Sequence, residues 1–205
     1  IDGNVTVNIT GGSIDTVFGG NNVDGNITGQ IDVNIDWGNN TCTDPLHIGT
    51  VFGGGNEARY TPSSAALVSP SVNIVKATIS EDIFGGGNGT TRTATSDAQV
   101  TANPSVLVGA PRFADKDKNT LAPAVDCDTV TVMGSIFGGG NASPTIGNTT
   151  VVVRGEKTLV QQSVYGAGNA ATAGYATASD TSTTDVHIGY YAGTTVEYTF
   201  EIAPR

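Results

Sequence analysis

A short box that occurs five times constrains the fold of this chain more than any other feature. Each copy contains a β-branched residue, an aromatic ring, three small residues and an asparagine that falls four positions after the ring. The copies cover residues 17–22, 51–56, 83–88, 136–141 and 164–169. Because this spacing is constant, equivalent residues lie above one another if the chain winds as a solenoid.

The repeat therefore predicts two columns that run along the solenoid axis. Asparagine amides stacked at about 4.8 Å can bond from coil to coil, as they do in cross-β ladders. The predicted ladder is Asn22, Asn56, Asn88, Asn141 and Asn169. The predicted aromatic column is Phe18, Phe52, Phe84, Phe137 and Tyr165.

The three residues between the ring and the asparagine predict the backbone conformation of the box. The first is glycine in every copy, which predicts either a positive φ or a close approach of two backbones. At the third position Asn21 replaces glycine, and asparagine tolerates the left-handed region best, so we expect left-handed backbone there. At the second position Ala167 replaces glycine, which indicates ordinary dihedrals.

An alternating strand precedes each box, as in Val5–Ile9 and Ile31–Ile35, which start 26 residues apart. Alternation at period two predicts one buried face and one solvent-facing face. A third short strand around Ile27 completes the first coil. Three parallel strands per coil predict an all-β fold, a right-handed parallel β-helix (β-solenoid) of about five to six coils with an asparagine ladder.

The irregular intervals between strands and boxes predict the domain organisation. Residues 1–195 form the β-helix, with loops inserted near 37–46 and 110–128. Residues 57–69, 89–102 and 170–184 are rich in Ser, Thr, Ala and Pro, which predicts surface loops. Residues 196–205 alternate again and predict a terminal capping or subunit-joining strand, because solenoid ends need protection.

Composition excludes some partners. The chain has 9 Lys+Arg against 19 Asp+Glu, a net charge of −10. This excess of negative charge argues against nucleic acid and anionic membrane surfaces as partners. No apolar run approaches the roughly 18 residues of a membrane span, so we expect none.

Cys42 and Cys127 lie in the two inserted loops, each ten residues before a ring. One intervening coil would separate their rungs by roughly 10 Å, whereas a disulfide needs Cα atoms within about 7 Å. A disulfide therefore requires the two loops to lean together. Two unpaired thiols are the alternative.

The second inserted loop contains one metal-like pattern, formed by Asp115, Asp117, Asn119 and Asp126. Its D-x-D-x-N order is typical of calcium loops, but Thr120 stands where such a loop requires glycine. The pattern favours a solvated loop without a cofactor, with Ca²⁺ as the alternative.

The candidate catalytic carboxylates are Asp15, Glu81 and Asp82, which lie two or three residues before a ring. They do not form a column of paired carboxylates, which favours a protein that is not an enzyme. A carbohydrate-active β-helix is the alternative. The aromatic column has two interpretations, an interior stack or an outward stripe that serves as an interface or a carbohydrate platform.

The sequence Val-Asn-Ile followed by Val-Phe-Gly-Gly-Gly-Asn resembles the long repetitive surface proteins of gut and oral anaerobic bacteria, which are presumed β-solenoids. The resemblance extends from Val5 to Asn169. It implies an extracellular or cell-surface location and a solenoid architecture. With no catalytic column, we expect a structural or adhesive, filament-forming element that associates with itself end to end or laterally. The alternative is a glycan-binding or polysaccharide-degrading β-helix that recognises host or matrix glycans.

Overall fold

A computed structural model describes residues 1–37, 46–90, 98–110, 129–155, 157–173 and 182–189. Within these ranges the chain forms thirteen strands and no helix. The strands are β1 (Val5–Ile9), β2 (Ser13–Phe18), β3 (Ile31–Asp36), β4 (His47–Phe52), β5 (Ser71–Ile79), β6 (Ile83–Phe84), β7 (Ser105–Val108), β8 (Val130–Val132), β9 (Ile136–Phe137), β10 (Thr149–Val153), β11 (Thr158–Val160), β12 (Val164–Tyr165) and β13 (Thr184–Ile188). No helix long and apolar enough to cross a membrane occurs in the part of the chain described.

Every strand pairing is parallel, and the pairings fall on two faces. The first face has the order β1-β3-β5-β7-β10-β13. The second face joins β2 to β4, then the end of β5 with β6, then β8 with β9, then β11 with β12. A chain that returns to each face in parallel is a solenoid. The predicted all-β, parallel solenoid is confirmed.

The core lies between the faces and is built from β-branched side chains. In β3, the buried Ile31, Val33 and Ile35 alternate with the more exposed Asp32 and Asn34. The register continues this alternation through the first face, where Val33 lies beside Val72 and that residue beside Val106. Similar β-branched side chains at the same height pack against one another from turn to turn, which is why Val and Ile recur at these positions.

The third side of the solenoid differs from the prediction. Ile27 is buried but belongs to no strand, and in the described residues this side is joined by isolated bridges and loop hydrogen bonds instead of paired strands. One series of bridges links the ladder asparagines, and the second links Tyr60, Val100, Thr145 and Ala173. The repeated asparagine predicted the first series, whereas the second joins unlike residues, so no repeated residue in the sequence reveals it.

The surface loops predicted at 57–69 and 89–102 also contribute to the core, so that prediction was wrong in part. Tyr60 is the largest fully buried side chain among the described residues, only 1% exposed, and Val100 is fully buried beside it. The Tyr60 hydroxyl lies 2.7 Å from Ser69 Oγ and 2.8 Å from the carbonyl oxygen of Gly29. Burial raises the pKa of Tyr60, which keeps the phenol protonated as a donor.

Two further predictions concern segments that lie mostly or wholly outside the described residues. The inserted loops near 37–46 and 110–128 are described only at Trp37, Leu46 and Ala110, of which the first two are buried. The terminal strand at 196–205 lies entirely outside them.

The interior of the first face is expected to dominate stability. Replacing the fully buried Ile74 by alanine should cost about 2–5 kcal/mol of unfolding free energy, because it removes methyl groups and leaves a cavity. Replacing the exposed Val68 by alanine should change it by no more than about 0.5 kcal/mol. Urea unfolding followed by circular dichroism measures both, and equal losses would contradict the assigned core.

Candidate functional site

The five ladder asparagines form one continuous hydrogen-bonded column. The Nδ2 of every ladder asparagine after Asn22 donates to the Oδ1 of the preceding ladder asparagine. The four distances are 2.8, 3.0, 3.0 and 3.1 Å from the first pair to the last. The backbone N–H of Asn56 also donates to the Asn21 carbonyl at 2.9 Å, and the later ladder members repeat this bond. The ladder is therefore polar, with amide donors directed toward the N-terminal end.

Left-handed backbone follows the ladder rather than preceding it. Positive φ occurs at Val23 (68°), Glu57 (52°), Ala142 (45°) and Ala170 (50°), each directly after a ladder asparagine. Asn21 is not among the residues with positive φ, so the left-handed residue predicted there was misplaced by two positions.

Hydrogen bonding explains why these residues accept a conformation that costs energy for a branched side chain such as valine. The Val23 N–H donates to the Asn56 carbonyl at 2.7 Å, and the Glu57 N–H to the Asn88 carbonyl at 2.8 Å. Backbone bonding between solenoid turns sets the conformation whatever the side chain, so no residue type in the sequence signals it.

The first glycine of the first four boxes is required by close backbone approach and not by a positive φ. A Cβ on Gly53 would lie 2.4 Å from the Gly85 carbonyl oxygen, and a Cβ on Gly85 would lie 2.3 Å from that of Gly138. Side-chain carbons do not approach oxygen atoms so closely. The sequence left both explanations open, and the structure selects the second.

The aromatic column is a stack with its own surroundings. Neighbouring rings from Phe18 to Tyr165 lie 4.8–4.9 Å apart and are within 5–8° of parallel. The preceding Val51 and Ile83 enter the main core, whereas Phe52 and Phe84 belong to a separate cluster. The rings thus run beside the main core.

Exposure along the column decides between the two interpretations of the rings. Phe84 is 2% exposed, and Phe52 and Phe137 are also buried. Tyr165, the last ring of the column, is 47% exposed. The inner rings are therefore not an aromatic surface that a sugar could cover, and among the described rings only those at the two ends of the column, Phe18 and Tyr165, present any surface to solvent.

The carboxylates near the boxes join solenoid turns. Glu81 Oε2 accepts a 2.5 Å hydrogen bond from Thr50 Oγ1. Asp82 Oδ1 accepts a 2.7 Å bond from the Ser135 N–H, which explains how this half-buried carboxylate is tolerated. Both carboxylates therefore help to hold neighbouring turns together.

A polar cleft of about 490 Å³ opens beside the first two ladder residues. It holds the two carboxylates of Asp24 and Glu57 together with the Arg59 guanidinium. The repeat did not single out these residues, because Asp24 is far along the chain from Glu57 and Arg59 and lies near them only when the first two turns stack. In the described part of the chain, no group of three or more His, Cys, Asp or Glu is placed to hold a metal ion.

The remaining predicted site residues lie outside the described ranges. They are Cys42, Cys127, Asp115, Asp117, Asn119 and Asp126.

No protein-family model, no curated protein and no solved structure matches this chain.

The ladder should contribute more to stability in its middle than at its end. Asn88 bonds to both neighbours, so Asn88→Ala should leave unsatisfied amide groups and cost about 1–3 kcal/mol of unfolding free energy. Asn169 is exposed and bonds to Asn141, so Asn169→Ala should cost less than about 1 kcal/mol. Denaturant unfolding compares the two, and an equal or larger loss in the second variant would contradict a ladder.

The three residues between the ring and the asparagine of a box, here called the glycine corner, allow a second pair of variants to be compared for stability. A Cβ on Gly86 would lie 2.6 Å from the Gly140 nitrogen, so Gly86→Ala should destabilise the fold by about 1–3 kcal/mol. A Cβ on Gly11 meets nothing within 4 Å, so Gly11→Ala should be neutral or slightly stabilising. The difference in denaturation midpoint is the measurement, and unchanged stability in the first variant would refute the close approach.

Proposed function

We propose that this chain is an extracellular structural or adhesive β-solenoid displayed at a cell surface. We further infer that its strands are wound as a right-handed parallel β-helix of about five to six coils, following the crossover preference of parallel strands. The observation that carries the proposal is the pair of columns, asparagine and aromatic, that join each solenoid turn to the next.

These columns support a mechanical role. The ladder bonds, the ring contacts and the strand bonds between turns are all directed along one axis. A load applied along that axis is shared among many parallel interactions within each turn. Such a rod resists bending and presents its side chains at fixed heights, which suits adhesion and display.

The resemblance to repetitive bacterial surface proteins supports the same location and architecture. The net charge of −10 favours a dispersed, soluble rod and disfavours phosphate-rich partners. The proposed partners are other copies of the chain, in end-to-end or lateral association, and host or matrix glycans.

The polar cleft favours a second candidate function, a glycan-binding or polysaccharide-degrading β-helix. Carboxylates and a guanidinium are suited to hydrogen-bond sugar hydroxyls, and glycoside hydrolysis uses two carboxylates. Asp24, Glu57 and Arg59 supply these groups in one open cleft. This candidate has less support, because the buried rings of the column offer no platform for a sugar chain.

Adhesion and sugar chemistry can be tested on the same protein. Binding to host cells and extracellular matrix is measured first, together with electron microscopy for filaments. A glycan array and a reducing-sugar assay on mixed polysaccharides follow. The double variant Asp24→Asn, Glu57→Gln removes the cleft carboxylates, and Asp15→Asn, Asp185→Asn is the matched control at exposed residues that do not line the cleft.

We expect binding or filaments that both variants retain. Glycan binding or sugar release that only the cleft variant loses would favour the second function. Isolated particles that bind neither cells, matrix nor glycans would contradict both.

A further inference from the structure

Three dipeptides in this chain place glycine directly after an aspartate or an asparagine. They are Asp2–Gly3, Asp24–Gly25 and Asn88–Gly89. Because glycine has no side chain, its backbone nitrogen can approach the preceding side-chain carbonyl carbon and close a succinimide ring. A neutral amide accepts this attack more readily than a carboxylate does. In the unfolded chain we therefore expect Asn88 to react first.

The ladder withholds Asn88 from this reaction. The Asn88 Nδ2 donates to Asn56 Oδ1 at 3.0 Å, and the Asn88 Oδ1 accepts from Asn141 Nδ2 at 3.0 Å. The N–H of the buried Gly89 donates to the Asn141 carbonyl oxygen at 2.9 Å. Ring closure would have to break these bonds and rotate the amide toward the Gly89 nitrogen. The folded chain thus protects both reacting groups of its Asn-Gly pair.

Asp24 and Gly25 are arranged in the opposite way. Both residues are exposed, and the Gly25 N–H donates to Asp24 Oδ1 at 2.6 Å. The nitrogen therefore lies beside the carboxyl group that it would attack. Among the described residues no backbone carbonyl oxygen accepts a hydrogen bond from this nitrogen. Folding here brings the two reacting groups together instead of separating them.

The flanking backbone holds this arrangement from both sides. The Asp24 N–H donates to the Asn22 carbonyl oxygen at 2.8 Å. On the other side, Asn26 Nδ2 donates to the Thr61 carbonyl oxygen at 3.1 Å, and Asn26 Oδ1 accepts from the Thr61 N–H at 3.0 Å. Groups that are held in contact react faster than groups that must first find each other, because their orientational entropy has already been lost.

We propose that Asp24–Gly25 is a self-modification site, at which the folded chain forms isoaspartate without an enzyme. The Gly25 nitrogen attacks Cγ of the protonated Asp24 carboxyl group, a C–N bond forms, and the hydroxyl group leaves as water with the proton of the nitrogen. Water then adds to the ring. Opening at Cγ restores aspartate, whereas opening at the α-carbonyl carbon gives isoaspartate. The net change is an isomerisation that consumes no other reactant.

The product alters the cleft beside the ladder. In isoaspartate the main chain runs through the former side-chain carbons, so the backbone gains a carbon and the carboxylate is attached directly to Cα. Asp24 lines the cleft together with Glu57 and Arg59. The added carbon also lies just before Asn26, whose amide pairs the first two turns through Thr61. Modification therefore moves a charge in the cleft and disturbs the pairing beside it.

The test compares the folded full chain with the same chain unfolded in guanidinium chloride, each kept for weeks at neutral pH. An isoaspartate-specific methyltransferase with labelled S-adenosylmethionine marks the product, and mass spectrometry of peptides locates it. In the folded chain the Asp24 peptide should carry at least about tenfold more label than the Asn88 peptide, since only Asp24 is held against its glycine nitrogen. In guanidinium chloride this order should reverse, because the ladder no longer protects Asn88.

Two glutamate variants identify the reacting residue. Asp24→Glu keeps the charge but requires a larger ring, which closes more slowly, so the label on this peptide should be lost. Asp2→Glu is the matched control at the other Asp-Gly pair. It should leave the label on the Asp24 peptide unchanged. Circular dichroism checks that both variants remain folded during the incubation.

Folded protein that gains no label at Asp24 would overturn the proposal. So would faster labelling of Asp24 in guanidinium chloride than in the folded chain, or labelling of folded Asn88 at its unfolded rate. The proposal goes beyond the proposed function and does not rest on it, since the reaction needs neither a ligand nor a partner. Because no result depends on cell or glycan binding, failure here is separable from failure of that function.

Discussion

The approach of backbone to backbone at the glycine corner is the constraint on which the rest of the structure depends. The Gly85 carbonyl oxygen occupies the space that a Gly53 side chain would need. This approach keeps successive boxes in register, so that rings stack at 4.8–4.9 Å and amides bond at 2.8–3.1 Å. A larger residue at the corner would separate the turns and weaken both columns together.

Polar side chains serve the same stacking. Glu81 and Asp82 each accept a hydrogen bond from a neighbouring turn, as the ladder amides do. Carboxylates that are used in this way are constrained by their partners and are poorly placed for proton transfer to a substrate. The cleft with Asp24 and Glu57 differs, since it is open to solvent. Glu81 and Asp82 therefore support a structural function, whereas Asp24 and Glu57 are the carboxylates that would serve the proposed sugar-directed one.

The repeat revealed the strands and the two columns because identical residues at constant spacing occupy equivalent places. It did not reveal Tyr60 or Val100, which enter the core from stretches of Ser, Thr and Pro through single bridges. Nor did it reveal the left-handed Val23, whose conformation is set by a bond to the next turn. The left-handed conformation recurs after four of the ladder asparagines, but it falls on Val, Glu and Ala, so no repeated residue marks it. The cleft residues were missed for the same reason.

The three glycine positions of the box obey different rules, and the last box shows this most clearly. Among the described residues no further box is stacked on Gly166, yet this position is glycine. A Cβ there would still lie 3.0 Å from the Thr184 Cβ and 3.3 Å from a Val186 methyl group, because β13 covers it on the first face. The first position is thus constrained by a neighbouring strand as well as by the next box. At the second position the nearest atoms to a Cβ belong to the next box, and in the described part of the chain no box follows Ala167. The glycines of one box are therefore required by different neighbours, although the repeat shows them as one pattern.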